Sequence, residues 1–279
     1  MKTTASTEVE WAIIAPDKVV VATTEGVWLD LPQEDSDRFT KPITSAGNTA
    51  ITRQLLDGAM AAAKMAIALE EKPPALTPNR YVWQLAGAYQ IAHATPELMR
   101  EAGQRFASAE RHILSEWAFE KAKEETGHDR LALLYIKSLG YRAEELVREI
   151  IPSASMTLVN YFRRSVRDAD PIDCVGYAHA LERLAIGAEQ EHIDKIENLL
   201  PANVKATRCF KVHSSVGGDA EHVEENEEMI ARLSFAERTR IIRVCYETAL
   251  LLFSPPEEGY LAEAELEEMF KPFRLETQV

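Results

Sequence analysis

The spacing of apolar positions changes once along the chain. From Trp11 to Leu31 they fall in short alternating, β-branched runs: Trp11–Pro16, Lys18–Thr23 and Gly26–Leu31. Turn residues separate the runs at Pro16-Asp17 and Thr24-Glu25. This period of two predicts a small β-hairpin or three-stranded meander. A loop rich in Asp, Ser, Pro and Gly follows. So small a piece cannot carry its own core, so residues 1–45 are expected to be a β-rich appendage on a helical domain over 46–279.

From Asn48 onward the period is helical, and prolines punctuate it. Asn48–Lys72 is rich in Ala, Leu and Met and stops at Pro73-Pro74. Thr77-Pro78 places a capping residue before a proline at the first helical position, and predicts a helix to about His93. Thr95-Pro96 repeats that signal and opens a long helical run to Gly140, with a break near Gly127. Pro152 starts a helix to about Asp168, and Pro171 another to about Leu200. Past Pro201 a helix carries His213 to Leu233. Ser234 caps Phe235–Phe253, which Pro255-Pro256 ends, and Glu257–Phe270 reads as a short acidic amphipathic helix. The expected architecture is all-α, a bundle of about seven helices with the small N-terminal β-appendage.

Composition narrows the function classes. The chain has 279 residues, 46% apolar and 27% charged, which is ordinary for a folded protein with a sizeable core. Its 31 Lys and Arg face 45 Asp and Glu, a formal charge of -14. A nucleic-acid or anionic-membrane partner needs a basic footprint, and none is present. The opening MKTTASTEVEW has no apolar run of the kind a secretory leader needs. Cys174, Cys209 and Cys245 are far apart and form no C-x-x-C pair, which suits core thiols in a reducing compartment. A cytoplasmic protein acting on a small molecule is the expectation, and homodimerisation is compatible with it.

No Gly-rich phosphate loop and no G-x-S-x-G elbow occurs. The candidate chemistry lies in histidines with a carboxylate three residues away, the spacing that shares a helical face. Glu125 precedes His128 in this way, and Asp219 precedes His222. Between them Glu182 sits in the apolar stretch Gly176-Tyr-Ala-His-Ala-Leu-Glu182, where an acid is costly unless paired or metal-bound. Carboxylates and imidazoles projecting inward from facing helices are what iron or manganese needs in a bundle. Blander readings stand beside these. Glu124 and Glu125 could be solvated, and Glu182 could pair with Arg183 or a neighbouring helix. Glu189-x-x-His192 lies in a very polar stretch and is expected to face water, although Glu189 shares a helical face with Glu182. His93 and His112 have no ligand pattern nearby. His179, three before Glu182, is placed to hold that carboxylate from behind.

Three segments together resemble one family. Glu124-Glu-Thr-Gly-His-Asp-Arg-Leu-Ala-Leu-Leu-Tyr-Ile-Lys-Ser-Leu-Gly140 resembles the metal-binding helix of the heme-oxygenase-like diiron oxidases. Gly176–Glu182 resembles their middle helix, and Val212-His213 through Asp219-Ala-Glu-His222-Val their late helix. The order and separations agree over residues 77–253. The resemblance implies a heme-oxygenase-like fold, Fe(II), two per chain, and dioxygen as co-substrate. It also implies oxidation of a small molecule, such as N-oxygenation or oxidative C–C cleavage of an amino acid, amine or fatty acid. The ligands it implies are Glu125, His128, Glu182, His213, Asp219 and His222. Two departures stand out. His213 lies six residues before Asp219 rather than four, a rotation of about 240° instead of about 40°, unless Gly217-Gly218 deform the helix. The early carboxylate also has rivals in Glu124 and, at poorer angles, Glu116 and Glu120.

Other classes fit parts of the pattern. A ferritin-like bundle would pair Glu125/His128 with Glu189/His192. A TenA-like hydrolase would need a nucleophilic cysteine, with Cys209 nearest the histidines. A cofactorless PqqC-like oxidase needs none of the carboxylates. A non-catalytic helical binding protein could use residues 1–45 as its partner surface.

Overall fold

The structure is a computed structural model describing residues 8–32, 39–40, 47–67, 74–186, 190–200, 219–254 and 257–276, with the backbone alone at 190–192 and 219–222. Three strands, β1 (Glu10–Ala15), β2 (Lys18–Ala22) and β3 (Val27–Asp30), form an antiparallel meander in the order β1-β2-β3. Helices follow: α1 (Thr49–Ala66), α2 (Pro78–Ser108), α3 (His112–Glu124), α4 (Asp129–Ser138), α5 (Ala143–Glu149), α6 (Ser153–Arg167), α7 (Asp173–Ile186), α8 (Gln190–Leu199), α9 (Asp219–Ala231), α10 (Phe235–Phe253) and α11 (Glu263–Phe270). No described helix is long and apolar enough to cross a membrane.

The caps form as their residue types dictate. Asn48 Oδ1 accepts from the amides of Ala50 and Ile51 at 2.9 and 3.3 Å. Thr77 Oγ1 accepts from Arg80 N at 3.1 Å, with Pro78 at the first helical position. Ser234 and Glu237 exchange bonds at the start of α10. Two expectations need correction. Pro96 does not open a new helix but lies inside the continuous α2. The Thr95 hydroxyl bonds the Ile91 carbonyl at 2.8 Å, supporting the turn where the proline withdraws its amide. The long run to Gly140 also divides more finely. It reverses at Ala109–Arg111, where Glu110 has a φ of 59°, and again at Gly127, whose φ is 96°.

The chain divides into two compact units, drawn from 1–68, 172–184 and 218–253, and from 69–171, 185–217 and 254–279. In the first, β1 and β2 pack on α10 and α1. Val19, Val20, Val21 and Ala22 are buried there with Ile51, Leu55, Leu56, Ile241 and Ile242. The strands expected to form an appendage over 1–45 thus share one core with helices from beyond residue 45, and neither unit ends at that boundary. The inward row of β1 is Glu10, Ala12 and Ile14. Glu10 is tolerated there because Arg238 Nη2 meets it at 2.9 Å, both side chains being almost fully buried. Asn48 N bonds the other Glu10 oxygen at 3.3 Å, which ties strand, α1 cap and α10 together. Gly176 lets α7 close on α10: an added Cβ would lie 2.5 Å from the Ile241 carbonyl.

In the second unit α2 is the spine against which α3, α4, α5, α6 and α11 pack. Its core joins Tyr81, Leu85, Ile136, Tyr141, Leu146, Ile196, Leu266 and Phe270. Gly103 allows Phe119 of α3 to approach α2 to 3.0 Å of where a Cβ would stand.

Candidate metal centre

In the second unit, Glu125 ends α3 and His128 precedes α4, with Gly127 turning the chain between them. Their contact was expected from helical periodicity and instead comes from this turn. His128 Nδ1–H donates to Glu125 Oε2 at 2.9 Å, with both side chains about one quarter exposed, at 25% and 23%. A carboxylate can only accept, so it sets the proton on Nδ1 and leaves Nε2 as the ring's electron-pair donor. The rival acids are engaged or remote. Glu124 pairs with Lys121 at 2.9 Å, and Glu116 and Glu120 are exposed.

A second pair stands beside the first and has no local spacing to announce it. His93 on α2 meets Asp129 at 2.8 Å across 36 residues of sequence. The His93 ring stacks on Tyr89 with centroids 5.2 Å apart. Burial first, then the charges of Asp129 and Glu144, raise the Tyr89 hydroxyl above the usual tyrosine range.

In the first unit, Glu182 on α7 accepts from Asn226 Nδ2 of α9 at 2.9 Å, and Asn226 is buried. Asp219 and His222 occupy α9 positions seven and four residues before Asn226, on the same helical stripe. Asn226 went unnoticed in the sequence although its spacing from both could have marked it. Arg183 does not take Glu182. It bonds Asp57 of α1 at 2.9 and 3.2 Å. Arg53 pairs with the buried Glu227, whose carboxyl burial raises above the usual range against the opposing pull of Arg53.

His179 behaves differently from what its position suggested. It is 1% exposed, and neither ring nitrogen has a hydrogen-bond partner among the described residues. It does not hold Glu182 from behind. Burial, and then the nearby Arg183 charge, lower its pKa to about 3, so the ring is a neutral imidazole with a free lone pair at physiological pH.

His213, Glu189, Cys209 and Gly217-Gly218 lie outside the described residues, as do the side chains of Asp219, His192 and His222. Among the described residues no group of three or more His, Cys, Asp or Glu side chains stands close enough to hold a metal ion. Cys174 and Cys245 are buried and form no disulfide. Burial pushes the Cys245 thiol well above its ordinary range, so it is no thiolate nucleophile of the kind a TenA-like hydrolase needs.

The structure is similar to that of a domain of unknown function with a heme oxygenase-like fold from Shewanella denitrificans OS217, with a TM-score of 0.57. The two share 19% identity over 79% of this chain and 88% of that one. The fold is heme oxygenase-like. No family model and no curated protein matches the chain. The heme oxygenase-like fold accounts for the helical architecture but carries no activity with it. Whether iron suits this chain therefore rests on its own residues. The donor types present are imidazole and carboxylate, which Fe(II) accepts, and His179 is a buried neutral imidazole whose nitrogens have no hydrogen-bond partner among the described residues.

Proposed function

We propose that the chain is a non-heme iron oxidase or oxygenase, using Fe(II) and dioxygen on a small molecule. The observation that carries this reading is the Glu182–Asn226 contact, which joins α7 to α9, the helix whose sequence includes Asp219 and His222. In the first unit the candidate iron donors are Glu182, Asp219 and His222; in the second they are Glu125 and His128, with His213 as the further candidate from the late motif. When bound, Fe(II) supplies the electrons that let dioxygen attack an otherwise inert C–H or N–H bond. The protein's part is positional. Glu125 fixes the His128 tautomer so that Nε2 faces away from the carboxylate. Asn226 donates to one Glu182 oxygen and so limits how the carboxylate can turn. The substrate class is an amine, amino acid or fatty acid, undergoing N-oxygenation or oxidative C–C cleavage.

Metal analysis after anaerobic Fe(II) loading of the full chain tests the reading. About one to two irons per chain are expected, with clear loss in Glu182→Ala. A chain that retains no iron, or a Glu182→Ala variant that loads like the parent, would sink it.

A further inference from the structure

In the second unit an open cleft of about 660 Å³ lies where the last turn of α2, the reversal into α3 and the segment joining α6 to α7 come together. Gln104, Arg105 and Ser108 line it from α2, Arg111 from the reversal, and Asp170 and Pro171 from the joining segment. The volume is that of a small-molecule site. The cleft shares no residue with the candidate iron donors.

Its walls are tied together before any ligand arrives. The Arg105 guanidinium leaves its own helix and donates through Nη2 to the Asp168 carbonyl, 63 residues away in sequence. Arg111 lies over the Phe106 ring, 5.6 Å from its centroid, and its Nη1 donates to Asp170 at 3.0 Å. The backbone between the two arginines is held as well. Arg111 N bonds the Phe106 carbonyl at 2.9 Å and Glu110 N bonds the Ala107 carbonyl at 3.0 Å, which closes α2 in a Schellman turn. The left-handed position of that turn is taken by Glu110, with a φ of 59°, where glycine is the ordinary choice.

Charge indicates the class of ligand. Arg111 has Asp170 as its counter-ion, but Arg105 has no carboxylate partner among the described residues. Its one hydrogen bond goes to a neutral carbonyl, and its Nε–H is buried with no acceptor. The Asp168 carboxylate turns instead to the amide of Ala169, at 2.5 Å. Two guanidiniums and one carboxylate leave the lining with one positive charge in excess, on a chain whose formal charge is -14. A guanidinium presents its N–H donors as a planar fork that matches the oxygens of a carboxylate or a phosphate. We propose that this cleft binds a small organic molecule through such an oxyanion head, with Arg105 as the primary cation and Arg111, fixed by Phe106 and Asp170, as the second. The assignment is independent of the iron reading.

Titration of the full chain, labelled with 15N-arginine, against inorganic phosphate and separately against succinate at low salt tests it. At least one of the two should shift the Arg105 Nε–H signal saturably, with a Kd on the order of 1 mM, and added salt should weaken the binding. Saturation by phosphate alone assigns a phosphate head, and by succinate alone a carboxylate head. Arg105→Gln should bind the effective anion at least about tenfold more weakly, whereas Arg130→Gln, which removes an equal charge from an exposed position of α4, should match the parent. Should Arg105→Gln not fold, Ala169→Glu sets a carboxylate at the cleft from an exposed position and should abolish binding. No saturable shift with either anion, an Arg105→Gln no weaker than Arg130→Gln, or an Ala169→Glu that binds like the parent overturns the proposal.

Discussion

Replacing His179 by glutamine removes a titrating ring from a site that excludes its charged form. The ring's pKa is lowered to about 3 in the folded chain, against 6.5 when free, by burial first and the Arg183 charge second. Arg183 is held in turn by Asp57, and Glu182 follows on the same face of α7. Below 6.5 the unfolded chain binds a proton that the folded chain refuses. Stability therefore falls as the pH drops from about 6.5 towards about 3, and above 6.5 this loss is absent. Each pH unit within the window is worth about 1.4 kcal/mol, so at about pH 5 the metal-free parent forfeits about 2 kcal/mol on this account. Glutamine does not titrate and forfeits nothing. Urea unfolding of the metal-free parent and His179→Gln at about pH 8 and about pH 5 reads the effect. The free-energy offset between the two proteins should move by about 2 kcal/mol between these conditions, to the parent's disadvantage in acid. At about pH 8 an apolar His179→Leu should be neutral or stabilising by up to about 2 kcal/mol, because it removes two unsatisfied atoms from the interior. An offset that stays constant with pH, together with a strongly destabilised His179→Leu, would show that the ring is satisfied in the folded protein and would refute the reasoning.

Three further outcomes follow from packing. Glu10→Gln should lower the unfolding free energy by about 3–5 kcal/mol, since it strands Arg238 in the interior, while Glu10→Leu combined with Arg238→Met should recover most of the loss. Purely additive losses in that double-mutant cycle would mean the pair is not coupled. Gly176→Ala should cost at least about 2 kcal/mol, read as a lower melting temperature, because its Cβ would meet the Ile241 carbonyl at 2.5 Å and Val244 Cβ at 2.9 Å. An unchanged melting temperature would contradict the close approach of α7 to α10. Gly127→Ala meets no neighbour but must adopt a φ of 96°, so a milder loss of about 1–2 kcal/mol is expected, and no loss at all would place this turn in another conformation.

Local chemistry was enough for most features built from neighbours in sequence. The three strands, the caps at Thr77 and Ser234, and the break at Gly127 all formed where their residues pointed. The meeting of Glu125 with His128 was also legible, because three residues of spacing bring the two close in a tight turn as well as in a helix. Pro96 was misread because its local preference for a helix start was outweighed by a turn that a Thr95 side chain could support.

The remaining contacts join residues that no periodicity relates, so only the assembled helices could select them. His93 finds Asp129 across 36 residues, Glu182 finds Asn226 across 44, and Glu10 finds Arg238 across 228. Each places a charge or imidazole against a partner on another element, and which partner it meets depends on how those elements pack. His179 shows the same limit from the other side. Its distance from Glu182 in sequence suggested a hydrogen bond, but the bond depends on where the ring is buried. Packing turned Arg183 to Asp57, gave Glu182 an amide from α9, and enclosed His179 with its nitrogens unused among the described residues. Burial is a property of the folded interior rather than of spacing, and it turned an ordinary histidine in an apolar helix into the strongest chemical signal in the first unit.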